Sequence, residues 1–223
     1  MEIVNPGNED YHIHSFNFSD GMNTVDEIVM FAGQIGLEKI AITDHCQAHQ
    51  DRKNFHKKNY YNITERWKNI HNSVEVNFGV EGDLLNEKGG VCFDIQGIIP
   101  EIKILSSHPS PVYGGDPNKI TEAYLNAIEH YRNQITFLGH PCAKYFEKYI
   151  DIIPIIELCN KYDVPMEFNC ANLVNNKTNM NNLDLMLKKA NRIYINSDAH
   201  TLNELKEYRT IGFKYLVENG YLV

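Results

Sequence analysis

A distorted (β/α)7 barrel of mostly parallel strands is the fold class the sequence predicts, and three observations predict it. Seven short apolar runs rich in β-formers alternate with segments of helical pattern. The 186 residues from His12 to Asp198 divide into six intervals of about 31, a length that suits one βα unit. Runs such as "EKIAITDH" are nearly continuous in apolar residues, as strands buried on both faces are. Such strands form a parallel sheet, either open and doubly wound or closed, and an irregular seven-stranded barrel is the preferred arrangement.

The first run ends at "YHIHS". A helix follows from about Thr24, where Thr24 and Glu27 have the capping-box spacing, and it stops near Gly36. "EKIAITDH" is the second strand, followed by a long polar stretch of helical character. "VEVNFGVEGDLL" is the third strand, and "GGVCFDIQG" after it adds a strand or hairpin whose place is open. "IKILSSHP" is the fourth, before Asp116-Pro117, an N-cap and first-turn pair opening a helix through about Arg132. "ITFLGHP" precedes a helix around Phe146 to Tyr162 that Pro154 is expected to kink or divide. "VPMEFNCAN" precedes a helix near Asn182 to Ala190, and "RIYINSDAH" the last helix, about Leu202 to Gly220.

At 223 residues and 43% hydrophobic composition the chain suits one domain with a sizeable core. It has no run of eighteen apolar residues, and "MEIVNPGNEDYH" lacks the basic and apolar regions of a signal peptide, so the expectation is a cytoplasmic protein with no membrane contact. Five dispersed cysteines without CxxC spacing read as reduced thiols. A net charge of −8 disfavours a long nucleic acid as partner. It leaves a small anionic substrate open, because a bound metal supplies positive charge locally. The basic run over residues 50–73 reads as a solvated face or, more sharply, as a substrate-facing loop with Arg52, Lys53 or Lys57. Oligomeric state is not legible.

The strand ends carry the chemistry. They present in turn His12 and His14, Asp44 and His45, Glu81, His108, His140, Glu167 and Asn169, and Asp198 and His200. Ligands bind at the carboxyl ends of strands in such folds, where loops vary around a rigid scaffold. Clustered carboxylates and imidazoles are costly to bury unless something coordinates them. Neutral imidazole and carboxylate suit Zn, Mn or Fe, and the number of candidates fits two or three divalent ions with a bridging carboxylate. The other four histidines, His49, His56, His71 and His130, read as surface or packing residues.

The stretch "YHIHSFNFSDGMNTVDEIVMFAGQIGLEKIAITDH" resembles the opening of the PHP (polymerase and histidinol phosphatase) superfamily, with HxH, S-D-G, a helix and TDH in order. Glu81, "SSH", "GHP", "MEFN" and "NSDAH" continue the resemblance over about residues 10–202, and residues 1–223 are expected to form a single PHP domain. The resemblance implies a trinuclear site at the C-terminal rim of the barrel. His12, His14 and Asp198 would hold one metal; Glu81 would bridge it to a second, held by His108 and His140; Asp20, His45 and His200 would hold the third. Asp44, Asp83, Glu167 and Asn169 match polar positions that support ligands rather than ligate.

A carboxylate-bridged cluster suits hydrolysis of a phosphoester, with Glu81, His45 and His200 as catalytic candidates and one of the two histidines protonating the leaving group. The expected substrate is a small phosphomonoester such as histidinol phosphate. Lys144, Arg192, Arg52 and Lys53 are the candidates for binding its phosphate. The rival readings are a phosphodiesterase or nuclease on short oligonucleotides, with Tyr60, Tyr61 or Trp67 stacking on a base, and a metal-binding module without catalysis.

Overall fold

The computed structural model describes residues 1–54 and 59–222, so His56 and Lys57 lie outside the described residues. Nine strands form one sheet. In chain order they are β1 (Glu2–Ile3), β2 (Glu9–Ile13), β3 (Lys39–His45), β4 (Glu75–Leu84), β5 (Val91–Cys92), β6 (Ile102–Ser106), β7 (Phe137–Leu138), β8 (Met166–Asn169) and β9 (Arg192–Asn196). Eight of them run in the order β1-β9-β8-β7-β6-β4-β3-β2, every pairing on that path parallel, while β5 pairs antiparallel with β4. The seven expected strands are β2, β3, β4, β6, β7, β8 and β9, and they curl into the distorted α/β barrel. The unplaced "GGVCFDIQG" supplies β5, through pairs Asp83↔Cys92 and Leu84↔Val91.

β2 and β9 meet at a seam with one bridge, Ile13↔Ala199. There His14 N donates to Ala199 O at 2.9 Å and Ala199 N to His12 O at 3.3 Å. Side chains complete what the ladder does not. The Asn5 amide accepts from Ile195 N at 2.9 Å and donates to Ile195 O at 3.0 Å, and Asp10 accepts from Ser197 N at 3.2 Å. The Arg209 guanidinium, buried, donates to the carbonyls of Ile195, Asn5 and Gly7 at 2.8 to 3.2 Å. These pairings satisfy backbone groups that a single bridge leaves open.

Helices α1 (Val25–Gln34), α2 (Gln47–Lys53), α3 (Tyr60–Arg66), α4 (Ile120–Tyr131), α5 (Ile152–Tyr162), α6 (Cys170–Val174), α7 (Met180–Lys189) and α8 (Leu202–Glu218) connect the strands. Thr24 and Glu27 form the expected capping box on α1. Asp116 caps, but the chain first makes a 3-10 turn at Pro117–Lys119 before α4 begins. Pro154 does not kink its helix. Asp151 caps α5, so Pro154 is the third helical residue, in the first turn, where a missing N–H costs nothing. The polar stretch after β3 holds the short α2 and α3. Ile40, Ile42, Val80, Ile104, Leu105, Phe137, Leu138, Phe168, Ile193 and Ile195 are buried in the core. Strand β3 is buried from Ile40 to His45, which accounts for its unbroken apolar run. No helix is long and apolar enough to cross a membrane among the described residues, and all five cysteines are free.

Candidate metal centre

Parallel strands deliver side chains to one rim, and the structure gathers the expected ring there around Glu81, which sits buried near the end of β4. His12 on β2 and His14 just beyond it, both buried, bring their Nε2 atoms to 3.7 and 3.6 Å from Glu81 oxygens. They share Oδ1 of Asp198, at 3.5 and 3.2 Å. On the other side of Glu81 lie His140 Nε2 at 2.6 Å and His108 Nε2 at 3.6 Å. Oδ1 of Asp20 stands 3.4 Å from Nε2 of both His45 and His200. His45 also turns Nδ1 to 2.7 Å from Glu81, joining the third grouping to the first two. His140 and Asp198 both have positive φ, 32° and 54°. Non-glycine residues in that region cluster at functional sites, because the surrounding structure must hold them there. The glycine before His140 is required by crowding: a Cβ on Gly139 would meet Ser106 Oγ at 2.2 Å.

Four polar residues stand behind this ring. Glu167 takes His12 Nδ1 at 2.8 Å on one oxygen and the His140 backbone N–H at 2.8 Å on the other. Asn169 donates to Glu167 and to Asp198, each at 3.0 Å. Asp44 acts on the loop that follows β2. It accepts from Ser15 N, Ser15 Oγ and Ser19 Oγ, each at 2.7 Å, and so organises the loop that carries Asp20, while Ser19 Oγ lies 3.2 Å from His14 Nδ1. Asp83 holds Nδ1 of His108 at 2.6 Å.

The donor set fits divalent transition metals. Among the described residues, Nε2 of His12 and Nε2 of His14 are buried without a hydrogen bond, although the opposite nitrogen of each ring is engaged. Imidazoles held by Nδ1, with Nε2 turned toward carboxylate oxygens, have the arrangement of metal ligands. The charges agree. Burial opposes ionisation of Glu81 and Asp198, yet His108 and His45 beside Glu81, and His12 and His14 beside Asp198, hold both well below the ordinary carboxylate range. Burial, with His200 and His45 nearby, lowers His14 to about 3, so its ring is neutral. Burial would also lower His200, but Asp20 and Asp198 raise it to about 9. Four groups of three or four ligand atoms, each within 4.8 Å, recur among these side chains.

The ring opens into a cavity of about 560 Å3, lined beyond the ring by Lys53, Tyr145, Asn172, Asn175, Lys177 and Glu204. Of the expected phosphate-binding residues, Lys53 reaches this cavity. Arg52 and Lys144 do not line it; Lys144 Nζ donates to Asn176 O at 2.8 Å. Arg192 needs correcting: it opens β9, at the far end of the barrel, and pairs there with Asp163 at 2.9 Å and Glu2 at 3.5 Å. Lys177 was missed by sequence reasoning because nothing local sets it apart; the loop after α6, a helix not expected, brings it in. The proposed base-stacking residues also fail. Tyr60 is buried with its hydroxyl on Gly79 O, Trp67 Nε1 donates to Asp26, and neither these nor Tyr61 line the cavity. Of the two readings given to His49, surface or packing, the surface one does not hold: it is buried at the cavity wall. His71, near Asp26, and exposed His130 stand apart from the ring, as expected.

The PHP domain family matches residues 10–209. A curated protein of Photobacterium profundum named "Probable phosphatase" is 26% identical over 209 residues, 91% of this chain and 82% of the relative. A provisionally named histidinol phosphatase from Listeria monocytogenes superposes with a TM-score of 0.60 at 14% identity, over 91% of this chain and 99% of that one. The histidinol phosphate phosphatase of Lactococcus lactis, solved with zinc, L-histidinol and phosphate, gives 0.56 at 16% identity over 92% of each chain. At these identities the two structures establish a shared fold.

Proposed function

From the premise that the chain belongs to the PHP domain family, we propose that it is a metal-dependent phosphatase acting on small phosphomonoesters. One observation carries the proposal: six imidazoles and the carboxylates of Asp20 and Asp198 gather around Glu81, which lines a cavity of about 560 Å3. In this reading His12, His14 and Asp198 would hold one ion, Glu81 with His108 and His140 would hold a second, and Asp20, His45 and His200 would hold a third. Bound divalent metals supply Lewis acidity that acidifies water and offsets phosphoryl charge. The protein's part is to fix the ligands through Glu167, Asn169 and Asp83 and to meet the free phosphoryl oxygens with Lys53 and Lys177. With two ions rather than three, the Asp20–His45–His200 group remains to hold a proton. His200, its side chain 31% exposed against 6% for His45, is the better placed to pass it from Nε2 to the leaving oxygen.

A small monoester suits this cavity better than a nucleic acid strand does, since the net charge is −8 and the expected stacking aromatics lie elsewhere. The zinc, histidinol and phosphate bound by the Lactococcus lactis relative support a phosphorylated amino alcohol as the first substrate to try. The deciding experiment compares p-nitrophenyl phosphate with bis-p-nitrophenyl phosphate in zinc- or manganese-loaded protein, alongside histidinol phosphate. Turnover of the monoester at least about tenfold faster (a difference of about 1.4 kcal/mol in barrier) is expected. Preference for the diester would overturn the proposal, and no metal-dependent turnover of any phosphoester would favour a non-catalytic metal-binding module.

A further inference from the structure

His49 lies in α2, four residues past His45, and nothing in the family resemblance gives it a role. The helix is anchored at its start: Cys46 N donates to Glu81 O at 2.9 Å and Gln47 N to Asp94 O at 2.7 Å. His49 is therefore carried on backbone tied to the strand that bears Glu81. Its ring is buried, 4% exposed, and stacks on the His45 ring at 3.7 Å and 11°. It meets the His108 ring edge-on at 4.7 Å. Most telling is Asp83, a fully buried carboxylate that divides its oxygens between two imidazoles: Oδ1 lies 2.6 Å from His108 Nδ1 and Oδ2 lies 2.9 Å from His49 Nδ1.

Among the described residues four histidines thus have Nδ1 on a buried carboxylate: His12 on Glu167, His45 on Glu81, and His108 and His49 on Asp83. In each the carboxylate fixes the ring through Nδ1, as the partners of metal-ligating histidines do. Three of the four are already ring residues. The fourth, His49, also lines the cavity, and it offers a ligand atom within 4.8 Å of those of His45, Asp83 and His108. A packing histidine has no need of the same carboxylate that orients His108.

We propose that His49 is a further metal-holding side chain of this centre, binding a divalent transition metal beside His45 and His108. The inference rests on the metal-centre reading above, and zinc binding tests the two separately. Metal-stripped wild type, His49→Phe, His49→Gln and Asp83→Asn are titrated with zinc against a chromophoric chelator, and each apo protein is melted in EDTA to check folding. His49→Phe keeps an aromatic ring for the stack but removes both nitrogens. Its zinc affinity is expected to fall about 10- to 100-fold at one position. Asp83→Asn, which releases His49 and His108 together, is expected to lose at least as much. Wild-type zinc stoichiometry and affinity in a folded His49→Phe would overturn the inference and leave the centre standing. If His49→Phe does not fold, His49→Gln decides in the same way, since its amide can still reach Asp83 but is a poor zinc ligand. Wild type that binds no zinc at all would overturn both readings.

Discussion

At the scale of single residues, the histidines divide by what their environment does to the proton. Burial keeps His14 neutral, whereas Asp20 and Asp198 outweigh burial at His200 and raise it to about 9. A ligating imidazole must be neutral, so filling the Asp20–His45–His200 group displaces a proton from His200 at any pH below about 9. Zinc affinity is therefore expected to rise with pH between about 6 and about 8, by up to about tenfold per unit for that proton. Calorimetry at neutral pH in buffers of different ionisation enthalpy should show net proton release; none would mean that His200 is not a ligand. Glu81→Ala and His12→Ala are each expected to lower turnover at least about a hundredfold while the apo proteins keep their melting temperatures. Survival of activity in Glu81→Ala would remove the bridge. The ring was legible because strand-end residues repeat with the βα unit. His49 was not: it looks like any polar helix residue until Asp83, 34 positions away, is brought beside it.

Elements were legible where local chemistry decides them. The capping box at Thr24 set the start of α1, and a nearly unbroken apolar run marked β3. Elements defined by partners were not. Two-residue β1 exists because Glu2 and Ile3 pair with Arg192 and Ile193, and β5 because its residues pair with Asp83 and Leu84. Pro154 misled because a proline reads as a breaker until the cap at Asp151 puts it in a first turn. The start of α8 joins helix to site. Thr201 Oγ1 accepts from Glu204 N at 3.2 Å, and one Glu204 oxygen accepts from Thr201 N at 3.0 Å and His200 N at 2.7 Å. The box thus fixes the backbone of His200 as well as the helix. Thr201→Ala is expected to lower stability by about 0.5 to 2 kcal/mol in urea unfolding, with a comparable loss in Thr24→Ala. Only the Thr201 variant should also weaken zinc binding; equal zinc binding in the two would show that the cap serves the helix alone.

For the whole molecule, the closing seam of the barrel and the proposed metal centre coincide. The β2–β9 seam has one bridge, yet His12 and His14 stand on one side of it and Asp198 on the other, sharing a carboxylate oxygen at 3.2 to 3.5 Å. An ion held by all three would tie the two edges together where backbone pairing is a single bridge, while Arg209 and Asn5 hold the same seam through backbone carbonyls and amides. Metal removal is thus expected to act on stability as well as on activity. Metal at about a thousand times its dissociation constant stabilises by about 4 kcal/mol, and each kcal/mol moves the melting temperature of a chain this long by about 2 to 4 °C. EDTA should therefore lower the melting temperature by about 8 to 16 °C. The loss should also be local: amide exchange at His14 and Ala199, whose N–H groups cross the seam, should accelerate more than exchange along the β3–β4 ladder, which seven consecutive pairs hold without help. Uniform acceleration would mean that the metal stabilises the fold as a whole rather than closing the barrel. An unchanged melting temperature would mean that the seam is held by Arg209, Asn5 and Asp10 alone.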